Sequence, residues 1–125
     1  MSLLEYLETM CSSILGIDKN IQSVAVLNNK GRVMEKTSKP VFSEQFPNYL
    51  NELFCMHYVL QVSMGRDFDE NYGPINYHIS ERASLTTLTF PVCENVLLVT
   101  TNKDASTITL ARKIIGIINE YMKRP

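Results

Sequence analysis

The stretch IQSVAVLNNKGRVMEK, residues 21–36, constrains the fold of this chain more than any other. Two apolar runs, Val24 to Leu27 and then Val33 and Met34, flank Asn28-Asn29-Lys30-Gly31, whose Asn and Gly residues tolerate the left-handed backbone of tight hairpin turns. A β-hairpin is predicted. Its first strand is apolar on both faces, which suits a strand covered above and below. The second carries Arg32, Glu35 and Lys36 and runs into Lys39-Pro40. Charges and a missing N–H donor are devices that blunt a sheet edge. One strand is therefore expected to be central and the next peripheral, and the other elements must supply the cover.

Ser2-Leu3-Leu4-Glu5 fits a capping box, followed by Leu4, Leu7, Cys11 and Ile14 on one stripe of an amphipathic helix that Gly16 is placed to end. Between Thr37 and Phe46 the pattern lapses into a polar connection. Pro47 fits a first helical position, and a second helix is expected from there to about Met64. That helix has two apolar faces, one of Tyr49, Leu50, Leu53, Met56, His57, Leu60 and Met64, the other of Cys55, Tyr58, Val59 and Val62. A helix that only covers its own sheet is polar on the far side. Either this one is deeply buried within the subunit, or its second face, read as Cys55, Tyr58, Val59 and Val62, meets a partner chain.

Residues 65–74 read as a loop, rich in Gly, Asp and Asn and closed by Pro74. Three strands follow, around 75–80, 87–90 and 96–99, joined by turns short enough for an antiparallel meander. The last is apolar on both faces and so central. Asp104 or Ser106 can cap a final helix with a stripe of Ile108, Ala111, Ile115, Ile118 and Met122, widened by Ile114, Ile117 and Tyr121, and Lys123 and Arg124 complement its dipole. The expected order is α-β-β-α-β-β-β-α in a single domain, 1–125.

Twelve Lys and Arg against thirteen Asp and Glu give a formal net charge of −1, so the field that nucleic-acid binders use is lacking. No apolar run approaches the roughly 20 residues that span a bilayer, and no signal peptide is read at the N-terminus, so no membrane insertion and a cytoplasmic location are expected. Cys11, Cys55 and Cys93 are widely spaced and odd in number, the pattern of buried, reduced thiols rather than of a disulfide framework or a zinc site.

A search for chemistry yields little. His57 lies on an apolar helix face, where a core role is the ordinary one. His78 forms a polar row with Asn76 and Ser80, and neither histidine has a partner at metal-ligand spacing. Asp67, Asp69 and Asn71 match the first positions of a calcium loop, but Tyr72 stands where its glycine must turn and His78 where its bidentate Glu belongs. No phosphate-cradling glycine motif occurs, and Cys93 has no base nearby in sequence. The residues predict no catalytic, cofactor or metal site, and a binding or scaffolding role rather than an enzyme.

Taken together, the hairpin SVAVLNNKGRVMEK, the long apolar helix, the meander ending in NVLLVTT and the closing helix resemble the roadblock/dynein light chain superfamily, relatives of longin and profilin-like domains. VSMGRDFDENYGPINYHI, LTTLTFPV and NVLLVTT are similar to segments of small roadblock-like proteins of archaea, particularly thaumarchaeal ones. The resemblance implies an α/β (α+β) fold: a three-layer α-β-α sandwich around a five-stranded antiparallel sheet of order 2-1-5-4-3. It also implies homodimers paired through the third strand beside packed second helices, serving as scaffolds or regulators of small Ras-like GTPases. The residues add their own argument, because strand 3 from Ile75 to Ser80 lacks a formal charge whereas strand 2 is guarded. The expected dimer interface is therefore Tyr77, His78 and Ile79 with Cys55, Tyr58, Val59 and Val62. Arg66 and Arg82, in loops flanking that strand, are candidate contacts to a GTPase, with solvation as the plainer reading. The rival class is a small-ligand sensor whose pocket between sheet and helix is lined by Tyr77, His78, Thr87 and Thr89.

Overall fold

Turn chemistry sets the first hairpin. In the computed structural model, which describes residues 2–122, Gly31 has a φ of +78°, and the Asn28 side chain accepts hydrogen bonds from the N–H groups of Lys30 (2.9 Å) and Arg32 (3.0 Å). The turn joins β1 (Ile21–Leu27) to β2 (Val33–Ser38). A methyl group on Gly31 would lie 3.2 Å from the Met56 side chain and 3.4 Å from its backbone, so the turn is also a packing surface for a later helix.

The meander forms β3 (His78–Glu81), β4 (Thr86–Val92) and β5 (Asn95–Thr101), and the sheet order is β2-β1-β5-β4-β3, all antiparallel, as expected. β1 and β5 pair at the centre, with Val24 opposite Val99 and Leu27 opposite Val96. α1 (Leu3–Gly16) and α5 (Thr107–Met122) cover one face, burying Leu7, Met10, Cys11, Ile14, Leu110 and Ile114 against Val24, Val26, Leu88, Phe90, Leu97 and Val99. The expected α1 stripe holds at Leu7, Cys11 and Ile14 and is joined by Met10, while Leu4 is exposed. The α5 stripe holds at Ala111, Ile114 and Ile118 and gains Leu110, while Ile108 is exposed. Gly16 is the last helical residue of α1, and the chain leaves through Ile17 in a right-handed conformation without a glycine cap. Lys123 and Arg124 lie outside the described residues.

The other face is where the structure departs from expectation. Pro40, not Pro47, opens a helix, the short α2 (Pro40–Gln45), and the long helix α3 spans Glu52–Gly65. Phe46, which precedes Pro47, has φ −130° and ψ 65°, consistent with the clash that keeps a residue before proline out of helical space. α3 starts instead at Asn51, whose side-chain oxygen accepts the Phe54 N–H at 2.9 Å. Residues 66–72 are a 3-10 turn (Arg66–Phe68) and a single helical turn α4 (Asp69–Tyr72) rather than open loop. β3 begins three residues later than expected and includes Glu81, and Ile75, outside the strand, leans on Gly65: a Cβ built there would stand 2.7 Å from Ile75 Cδ1.

Cys55, Tyr58, Val59 and Val62 are buried against Leu27, Val96 and Leu98 of their own sheet, which corrects their assignment to a dimer interface. Compact Cys and Val side chains let the helix sit close to the sheet, and the Tyr58 hydroxyl bonds to Thr87 across a buried gap of 2.8 Å. The longer Leu53, His57, Leu60 and Met64 turn outward, so His57 is not a core histidine. Cys11 and Cys55 are buried free thiols, and burial, helped by the charge of Glu35, pushes the Cys11 pKa up to about 12. Cys93 differs from the expectation of burial: it is exposed in the β4–β5 turn at φ +55°.

Candidate functional site

β3 is an edge strand, hydrogen-bonded to β4 on one side only. His78 faces Thr89 and Ser80 faces Thr87, on the α3 side of the sheet. Ile79 faces Leu88 on the opposite side, where the Tyr77 ring packs 6.1 Å from Phe90. The alternation separates the four residues expected to line a ligand pocket: Tyr77 is on one face, His78, Thr87 and Thr89 on the other, and the Thr87 hydroxyl is already bonded to Tyr58. That pocket is not formed.

The outer side of the α3 layer carries a row of exposed apolar side chains. Leu53, Leu60 and Met64 are 82%, 52% and 66% exposed. His57, Leu60, Gln61 and Met64 line a shallow depression of about 490 Å³. Polar atoms are also left over in this layer. His78 Nδ1, Thr89 Oγ1 and Gln61 Oε1 are buried without a hydrogen-bond partner, an arrangement that proteins keep rare. Desolvation lowers the pKa of His78, so the neutral imidazole is favoured.

Arg66 and Arg82 stand at opposite ends of the meander. The Arg66 guanidinium donates to the Cys93 carbonyl oxygen at 2.5 Å in the β4–β5 turn. Arg82 lies in the β3–β4 turn with its guanidinium carbon 5.9 Å from the centre of the Phe54 ring. The two candidate partner contacts therefore do not converge on one site. Among the described residues no cluster of three or more His, Cys, Asp or Glu could hold a metal ion, and no helix is long and apolar enough to cross a membrane.

Comparison with solved structures places this architecture. A five-stranded 2-1-5-4-3 sheet with helices on both sides is the Roadblock/LC7 domain fold. The Streptomyces avermitilis Roadblock/LC7 domain superposes with a TM-score of 0.70 at 14% identity, covering 93% of this chain and 94% of that one. Myxococcus xanthus MglB gives 0.74 at 15% identity, over 98% and 88% of the two chains. An MglB solved with a tetrameric arrangement gives 0.68 at 10%, over 97% and 94%. No protein-family model matches the chain, and no curated protein sequence matches it significantly.

Proposed function

We propose that residues 1–125 form a single roadblock-like domain that acts as a homodimeric scaffold or regulator of a small Ras-like GTPase in the cytoplasm, with no chemistry of its own. The observation that carries the reading is the unpaired edge of β3 in the same subunit as the outward apolar row of α3. An open edge offers backbone hydrogen bonds to a second copy, and an adjacent apolar row supplies the burial that makes such pairing stable. In the proposed dimer Tyr77, His78 and Ile79 pair across the two-fold axis, as expected from the sequence, while Leu53, His57, Leu60 and Met64 replace the inward-facing residues in the helix contact. The leftover polar atoms of His78, Thr89 and Gln61 fit an edge completed by a partner. An MglB of this fold in a tetrameric arrangement supports self-association, and the likeness to roadblock domains supports a GTPase as the client.

Light scattering on the purified chain at micromolar concentration is expected to give twice the chain mass. A panel of small Ras-like GTPases from the same genome is expected to contain one that binds the dimer or changes its GTP turnover in its presence. A monomer would end the first part of the reading, and a panel with no binding and no altered turnover would end the second.

A further inference from the structure

A second concave feature lies at the other end of α3. An open cleft of about 590 Å³ separates the α2–α3 connection from the β3–β4 turn, within the size range of small-molecule sites. Its apolar wall is held in place by ring contacts. Tyr49 stands 5.0 Å from Phe42 and 5.1 Å from Phe54, Phe54 stands 5.0 Å from Tyr58, and the Tyr49 hydroxyl is hydrogen-bonded to Thr100 of β5. Such a wall is set before any ligand arrives, which limits the ordering cost of binding. Across from it the β3–β4 turn is closed by the Arg82 N–H donating to the Leu85 carbonyl oxygen at 2.8 Å.

Arg82 is the one charged residue lining this cleft, and its guanidinium, resting near Phe54, pairs with no carboxylate among the described residues. A guanidinium beside a ring keeps its planar fork of donors available for a flat anion. The other polar liners are neutral. Asn51 is engaged, its oxygen capping α3 and its amide nitrogen donating to the Asn48 carbonyl oxygen at 3.2 Å, which leaves the Asn48 side chain and the Ser84 hydroxyl. One cation with neutral neighbours matches a single negative charge better than a phosphate, which draws on several donors and cations.

We propose that this cleft binds a small organic monocarboxylate with a flat apolar body, its carboxylate on Arg82 and its body against Phe46, Tyr49, Phe54 and Leu85. The site goes beyond the GTPase reading. It adjoins the proposed dimer face at Leu53, whereas Leu60 and Met64 of that face lie about 9 Å and 15 Å along the helix axis from Phe54.

The test uses 2-naphthoate as probe and the intact chain labelled with nitrogen-15. Saturable amide shifts confined to residues 46–54 and 82–85 are expected. Uncharged 2-naphthamide, and naphthoate on Arg82→Gln, are expected to bind about tenfold or more weaker, the loss that follows from removing a charge-assisted hydrogen bond. Arg82 is exposed, and circular dichroism establishes that the variant is folded. The proposal is overturned by an absence of saturation, by equal binding of the amide or of the variant, or by shifts that map to the outer face of α3. None of these results alters the mass measured by light scattering, so the two readings fail independently.

Discussion

His78 shows how one side chain ties the edge strand to solution conditions. Burial lowers its pKa from 6.5, so between the folded and unfolded values the unfolded chain binds more protons. Stability then falls as pH drops through about 6.5 and stops falling below the folded-state value. In urea unfolding at about pH 7.5 and about pH 5, the difference between wild type and His78→Gln is expected to shift toward the variant at the lower pH. Parallel pH profiles for the two proteins would refute this. The polar row of His78 and Ser80 was readable from the alternation of the strand. That His78 Nδ1 and Thr89 Oγ1 are both left without partners was not, because it depends on which strand lies opposite.

Gly31 makes the case at the level of elements. Its positive φ would strain any side chain, and a Cβ there would stand 3.2 Å from Met56 Cε, which would have to give way. Gly31→Ala is expected to destabilise the chain by about 1–3 kcal/mol, measured as a lower urea midpoint with unchanged slope. A shift of under a few tenths of a kcal/mol would show that turn and helix yield together. The hairpin and the two central strands were legible because turn residues and two-sided apolar runs are local signals, whereas the sheet order came only with the resemblance to roadblock domains. The α3 rotation was not. With apolar residues on both sides, periodicity says that the helix has two partners without saying which side meets the sheet, and that choice is made by the fit of Cys55, Val59 and Val62 and by the Tyr58–Thr87 bond. The helix start moved for a similar reason, since Pro40 and Pro47 carry the same local signal and the aromatic packing of Phe42, Phe46 and Tyr49 distinguishes them. The cleft has walls from residues 46–54 and 82–85, brought together only by the sheet. The close spacing of Phe42, Phe46, Tyr49 and Phe54 was the trace of it in the sequence.

For the whole molecule, the reassigned helix face predicts which substitutions separate folding from association. Leu60→Asp places a charge on the outer row of α3 and is expected to give a folded monomer, with half the wild-type mass by light scattering and an unchanged circular dichroism spectrum. Val59→Asp, one residue away but buried at 5% exposure, is expected to unfold the chain instead, because a carboxylate would be buried there without a partner. If Leu60→Asp stayed dimeric, the outer row would not be the contact.

The two rims of the sheet have a consequence for how far assembly can run. β2 is guarded by Glu35, Lys36 and the proline that follows, while β3, whose one charge is Glu81 at its end, has no strand on its outer side. In the language of polymer chemistry such a sheet is monofunctional, with one reactive end. In the proposed dimer, two-fold pairing through β3 would consume that end in both partners, so raising the concentration would fill the dimer without lengthening a ribbon.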